Sequence, residues 1–355
     1  MRSATDRAGI PRRDHHPQAT RGSSRILRSL APALTVLVLL VLITESLALG
    51  SRALGPEEVW QGLLAHDNSV ASKVVWELRI HRTVLAIVVG ASLAVAGVVM
   101  QALTRNPLAE PGILGVNAGA SLAVVAAIGG LGFTSVNQYL PFAFAGAAAA
   151  AVLVHVMSRR SAEAGPARLV LAGVALGASL SSITGTITMY NSKIFDSYRF
   201  WVVGSLENRK LEVLLWVAPF LVVGLVLALA SAHSLNALAL GDEQATALGV
   251  NLAVVRGGAF LALTLLCGAA TAAVGPISFI GLVIPHVARL LVGADQRRLL
   301  AWSVAAGAGL LLAADVMGRL LVRPTELEAG IVTAFIGAPV LLVLAVTNRT
   351  IRRGA

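Results

Sequence analysis

Apolar residues along this chain fall into long runs separated by short polar links. Ten runs approach the roughly 20 residues that a helix needs to cross a lipid core. They cover residues 31–49, 83–103, 115–133, 139–157, 169–190, 211–230, 257–274, 277–292, 301–317 and 330–346. The third is glycine-rich and the eighth is short. Lipid offers backbone groups no hydrogen-bond partner, so each run is expected to be a helix. Small residues that allow close helix contact recur at Gly173, Gly177 and 145–151. The expected fold is an all-α membrane protein, with a ten-helix domain over residues 29–348. A disordered cytoplasmic tail at 1–28 and a short one at 349–355 flank it.

Two of the runs are interrupted in the same register. Gly90, Gly97, Pro107 and Gly115 recur 178 positions later as Gly268, Gly275, Pro285 and Gly293. Glycine and proline both weaken a helix interior, so matched breaks call for a cause. Broken helices in corresponding halves of a membrane protein point to a transport pathway. The offset maps the second run onto the seventh. These cross in opposite directions if all ten runs span, which describes an inverted pseudo-repeat.

Composition agrees with a lipid setting: 56% of residues are hydrophobic, 13% are charged, and mean hydropathy is +0.79. Net charge is +10, a balance that suits nucleic acid or a membrane surface. The basic residues lie in short links between apolar runs, which favours membrane topology over nucleic acid. With the N-terminus inside, inner segments hold 18 of the 28 lysines and arginines, so both termini are expected in the cytoplasm. The first 28 residues carry seven arginines, and a signal peptide with Arg12–Arg13 as its twin-arginine element is the competing reading. The run at 31–49 exceeds a usual signal core, and no small-x-small cleavage site follows it, so it is read as a retained span.

Several chemistries are excluded. Cys267 is the single cysteine, so no internal disulfide or cysteine-based metal site can form. No His, Cys, Asp and Glu cluster has metal-ligand spacing, and Gly-x-Ser-x-Gly is absent. A phosphate-binding P-loop needs Gly-Lys, whereas Lys73, Lys193 and Lys210 follow Ser72, Ser192 and Arg209. Any ATP and Mg would therefore act on a partner subunit, and no cofactor is expected in this chain. Acidic residues near mid-membrane are lacking, which argues against an ion-coupled secondary carrier.

Three motifs then become recognisable. They are Asn106-Pro-Leu-Ala-Glu-Pro-Gly-Ile-Leu-Gly-Val-Asn-Ala-Gly-Ala120, Leu235-Asn-Ala-Leu-Ala-Leu-Gly-Asp-Glu-Gln-Ala-Thr-Ala-Leu-Gly-Val250 and Gly275-Pro-Ile-Ser-Phe-Ile-Gly-Leu-Val-Ile-Pro-His-Val-Ala-Arg289. Together they resemble the FecCD/vitamin-B12-type permeases of ABC importers, over roughly residues 30–348. Arg199-Phe-Trp-Val-Val-Gly-Ser-Leu206 and Leu291-Val-Gly-Ala-Asp295 resemble the ferric-enterobactin type. The resemblance implies an ATP-driven importer of ferric siderophores in the plasma membrane, with cobalamin or haem as the other cargo. It implies ATP-binding subunits inside, a substrate-binding protein outside, and a second permease, a related chain being favoured over a self-copy.

Site residues follow from the same resemblance. Residues 235–250 read as two short helices divided by Gly241, suited to a groove on a partner. Pattern alone leaves a solvated amphipathic turn equally open. The resemblance assigns contact with the ATP-binding subunit to Leu240, Gly241, Ala245, Leu248 and Gly249. Arg79, Arg82 and Arg319 fall at outer ends of runs and are assigned to docking of the binding protein, since guanidinium grips carboxylate well. Interfacial anchoring competes with this, as does a local pair between Asp315 and Arg319, four apart on one helix. Asn106 and Leu108 are assigned to a cytoplasmic gate, against a rigid turn at Pro107. His286 reads as a packing residue. Trp60, Trp76, Trp201 and Trp216 are expected in an interfacial belt. Two departures stand out. The family's Glu-Leu-Pro-Val-Gly is Glu326-Leu-Glu-Ala-Gly330 here, and the link at 159–167 lacks a hydroxyl pair before Arg168.

Overall fold

The computed structural model describes residues 21–50, 55–65, 67, 69–159, 166–322 and 325–353. All regular structure among them is helical. The chain runs through α1 (Arg21–Ala48), α2 (Pro56–Ala65) and α3 (Val70–Lys73), then a π-helical turn at Val74–Ile80 that enters α4 (His81–Thr104). A 3-10 turn at Pro111–Leu114 leads to α5 (Val116–Leu131), α6 (Val136–Arg159), α7 (Pro166–Tyr190) and α8 (Ser192–Val202). Next come α9 (Leu211–Ala230), α10 (Ala232–Ala239), α11 (Asp242–Ala247) and α12 (Leu252–Val274). The last three are α13 (Ile280–Val292), α14 (Gln296–Leu321) and α15 (Ala329–Arg353).

Each of the ten apolar runs falls on a helix. Among the described residues, seven helices are long and apolar enough to cross a membrane: those containing α1, α4, α6, α7, α9, α12 and α14. The other three runs lie on shorter apolar helices, Val116–Leu131, Ile280–Val292 and Ala329–Val343. Helix α1 begins at Arg21, so residues 21–28, expected in the tail, are helical, as are 349–353. The rest of the expected tail, 1–20, lies outside the described residues, as does most of the link at 159–167.

Helix α4 is the central post. Residues 92–104 are buried without exception. It packs along α14, α12 and α13, while α5 pairs with α6 and α12 with α9. Glycine makes these contacts possible, because only a missing Cβ lets two backbones meet. A Cβ on Gly97 would lie 2.0 Å from the Gly281 carbonyl oxygen, and one on Gly90 would lie 2.4 Å from that of Gly307. Gly119 and Gly146 meet in the same way at the α5–α6 contact. By contrast α1 turns Leu34 and Leu37 outward, more than half exposed, as a rim helix in lipid does.

The 178-residue register holds for some pairs and fails for others. Gly90 and Gly268 are both buried inside helices, and Gly115 and Gly293 both take positive φ at helix ends. Gly97, however, is mid-helix, whereas Gly275 ends α12 with φ +82°. Pro107 stops α4, whereas Pro285 sits inside α13. Equal spacing therefore does not give the four breaks equal structural roles.

Candidate functional site

Chemistry-bearing residues gather at the two ends of α4. At its C-terminal end lie the two short helices α10 and α11. Gly241 separates them with φ +115°, a conformation that favours glycine, and Gly249 follows α11 with φ +81°. A Cβ at either position would meet nothing within 4 Å. Leu240 and Leu248 project outward, 58% and 65% exposed, while Ala245 is fully buried beneath them. Two leucines held outward by this pair of helices form an apolar knob without a partner among the described residues.

Ionic contacts fix that pair in place. Asp242 accepts from Arg256 Nη2 at 2.7 and 2.9 Å and is also paired with Arg105. Arg105 Nε donates to the Leu238 carbonyl at 3.1 Å. Partial burial pushes the Asp242 carboxyl up, but Arg256 and Arg105 outweigh it and hold the group below its usual range. On the other side, Asn236 Nδ2 donates to Asp295 at 3.1 Å, and Asn236 Oδ1 accepts from the Gln296 amide at 2.9 Å. Asp295 also caps α14 by accepting from the Arg297 amide. The bonds from Asn236 and Arg297 draw its carboxyl down. Sequence reading missed Asp242, Arg105, Arg256 and Asn236, because their partners lie up to 137 positions apart.

The break after α4 begins at Arg105, a non-glycine residue at φ 48°. Asn106 Oδ1 accepts from the Leu108 amide at 3.0 Å, closing a side-chain turn around Pro107. Asn106 is exposed and Leu108 half-buried. The break is tied to the start of α13: Glu110 Oε1 accepts from the Phe279 amide at 2.6 Å, with Phe279 at φ 72°. Thr271 Oγ1 donates to Asn117 at 3.0 Å, and Arg289 Nη2 to Gln101 at 2.5 Å. Side-chain bonds thus join the segment after α4 to the segment that leads into α13.

At the N-terminal end of α4 the three arginines turn inward. Arg82 grips Asp315 through Nε at 2.9 Å and Nη2 at 2.7 Å, and reaches Glu326 at 2.6 Å through Nη1. Arg319 pairs with Asp315 and donates to the carbonyls of Ser46 at 3.0 Å and Leu49 at 3.2 Å. Arg79 donates to the carbonyls of Leu47 at 2.6 Å and Ala48 at 2.9 Å. The last carbonyls of α1 lack intrahelical partners, and these guanidiniums supply the donors. The Asp315–Arg319 pair that sequence spacing offered is therefore present, within a larger cluster. The cluster borders a cavity of about 680 Å³ lined also by Glu77, Glu207 and Glu212.

Helix α7 presents an unpartnered face of small and hydroxyl residues, including Ala175, Ser179, Ser182 and Thr186. Each hydroxyl donates at 2.9 Å to the carbonyl four residues back. A second unpartnered face, on α15, is apolar and includes Ile331, Phe335 and Leu342. Of the tryptophans expected at an interface, Trp60 is 63% exposed, but Trp201 is 1% exposed and packs against Tyr198. Trp216 stacks with Phe144 and Phe220. Trp201 is thus a packing residue, while Trp216 remains half-buried. His286 is half-buried on α13. Among the described residues no group of acidic, His and Cys side chains could hold a metal ion.

A bundle of apolar helices with an apolar knob at one end and open faces along its length is the form of a multi-pass membrane protein. The family comparison makes that class specific. The model of the FecCD transport family matches residues 37–347, and the chain belongs to that family. It is 44% identical over 336 residues to the ferric enterobactin transport system permease protein FepD of Escherichia coli (strain K12), covering 94% of this chain and 99% of the relative. It is 35% identical to the hemin transport system permease protein HmuU of Yersinia pestis, over 94% and 100%. A solved chain described as an inward-facing metal-chelate type ABC transporter superposes with a TM-score of 0.78 at 30% identity, covering 91% and 99%. The protein is a transport component rather than an enzyme.

Proposed function

We propose that this chain forms the translocation pathway of an ATP-driven importer of ferric siderophores. The face of α7 carries this reading. Its hydroxyls are spent on their own helix backbone, which leaves a wall polar enough for water yet with few free donors. A bulky chelate can slide past such a wall without being held. The similarity to a ferric enterobactin permease supports iron chelates as cargo. The similarity to hemin and vitamin B12 permeases keeps haem and cobalamin as the second reading.

In this reading α10 and α11 face the cytoplasm, where Leu240, Gly241, Ala245, Leu248 and Gly249 meet an ATP-binding subunit that carries ATP and Mg. Both chain termini lie on that side. The turn at Asn106 and Leu108 forms part of the inner gate. The second permease, a related chain, covers the apolar face of α15. A substrate-binding protein docks at the opposite end, around the cavity bordered by Arg79, Arg82 and Arg319. Its carboxylates would compete with Asp315 and Glu326 for Arg82, the one of the three arginines that is not fully buried. Lipid surrounds α1 and the other rim helices.

The test is uptake in cells lacking this gene, with and without its restoration, of radio-iron carried by catecholate, hydroxamate and carboxylate siderophores or by haem, and of separately labelled cobalamin. Restored uptake of one siderophore class is expected. Restored haem or cobalamin uptake with no siderophore effect moves the cargo to the second reading, and no restoration at all sinks both.

A further inference from the structure

The coupling residues read from the sequence are contact residues, and contact alone does not move a gate. A displacement of α11 needs a rigid path to the breaks in α4 and α12. Gly241 and Gly249 bound α11 with positive φ, so turns rather than continuous helix join it to α10 and α12. Side chains must then direct the motion, and Asp242 is placed to do so. It sits at the first residue of α11 and is shared by two guanidiniums from different helices.

Those partners are the decisive observation. Arg105 is the residue that ends α4, one peptide before Asn106, and its left-handed backbone is held in place by its side-chain bonds to Asp242 and Leu238. Arg256 lies near the start of α12, whose far end is the Gly275 break. The two routes rejoin where Glu110 bonds the Phe279 amide. A charge at Asp242 therefore pulls on both halves at once. Without it, two cations would face each other across the same gap, and they would separate.

We propose that Asp242 is the positioning residue that converts displacement of α11 into movement of the α4 and α12 breaks, through its shared contacts with Arg105 and Arg256. This rests on the reading of α10 and α11 as the contact for an ATP-binding subunit. The Asn236–Asp295 contact anchors the opposite flank of α10 to α14, so Asp242 is what ties the α11 flank to α4 and α12.

The experiment uses the whole importer in proteoliposomes, with cargo uptake and ATP hydrolysis measured in the same vesicles. Asp242→Asn keeps the shape and removes the charge. The assembled complex is expected to continue hydrolysing ATP while uptake per ATP falls about five-fold, within the range by which residues in coupling networks act. Asp242→Glu is expected to restore the ratio. The Arg105→Gln/Asp242→Asn pair is expected to fall no further than either single change, since contacting residues are not additive. An unchanged ratio in assembled Asp242→Asn overturns the proposal, as does a double variant that falls by the product of the singles. If Asp242→Asn does not assemble, Arg105→Gln is read in its place, and a normal ratio there overturns the proposal too. Leu248→Asp separates the underlying reading: intact assembly and hydrolysis in that variant defeat the contact surface itself, whatever Asp242 does.

Discussion

At the scale of single residues, the sharpest feature is a carboxylate with no exposure at all. Asp315 is shared by Arg82 and Arg319, and Arg319 is 2% exposed. Removing one member of a buried ion cluster leaves the others uncompensated, at a cost of about 3–5 kcal/mol. Asp315→Ala is therefore expected to lower the detergent melting temperature sharply. Replacing Asp315, Arg82 and Arg319 together by apolar residues should recover much of the loss, because the buried charges go together and Glu326, the member left behind, borders the open cavity. If the triple variant melts as early as Asp315→Ala, charge burial is not the cause. Only part of this cluster was legible. The i, i+4 spacing offers Asp315 and Arg319 as a pair, but Arg82 lies 233 positions away from Asp315. Sequence assigns the arginines a charge and an end of the molecule. The direction each guanidinium takes depends on the unsatisfied carbonyls at the end of α1, which only the fold brings near.

At the scale of elements, run length and glycine breaks located the helices well, since lipid leaves the backbone few alternatives. The run at 211–230 matches α9 at both ends, and Gly241 divides α10 from α11 as expected. Pairing was not legible, because the contacts that decide it join Gly97 to Gly281 and Gly90 to Gly307 across distant segments. These contacts make a direct prediction. Gly97→Ala places a Cβ 2.0 Å from a backbone oxygen that cannot step aside, so α13 must shift away from α4. Destabilisation of about 1–3 kcal/mol is expected, with loss of uptake. Gly257 is the control: it lies inside α12 with nothing within 4 Å of a new Cβ. Gly257→Ala should stabilise by about 0.5–1 kcal/mol, because alanine loses less entropy in a helix. Thermal unfolding of the two variants beside the parent decides it. Equal effects would mean that helix propensity, rather than backbone contact, sets the outcome.

At the scale of the whole molecule, the open arithmetic concerns α13. Its 13 residues rise about 20 Å, against a lipid core of about 30 Å. The extended link at 275–279 can add up to about 16 Å, enough to complete a crossing. The contacts decide what to expect. Asn236 bonds Asp295 and Gln296, so the segment after α13 lies at the same end as α10. Helices α12 and α13 must then make a return trip, while α9 is the one helix between residues 207 and 240 long enough to span. The parent's single cysteine, Cys267, is buried, so new cysteines can be labelled without an added background change. Three exposed positions suffice: Glu207→Cys, Leu240→Cys and Arg298→Cys. Glu207→Cys is expected to react with a membrane-impermeant maleimide on intact cells. Leu240→Cys and Arg298→Cys should react only after permeabilisation. If Arg298→Cys labels from outside while Leu240→Cys does not, α13 is a re-entrant helix and the crossing count becomes odd up to that point. That outcome would put the C-terminus outside, and the positive-inside bias of the last segment would have to be explained without topology. Labelling of Leu240→Cys from outside would be more damaging, since it would place the apolar knob of Leu240 and Leu248 beyond the reach of any ATP-binding subunit.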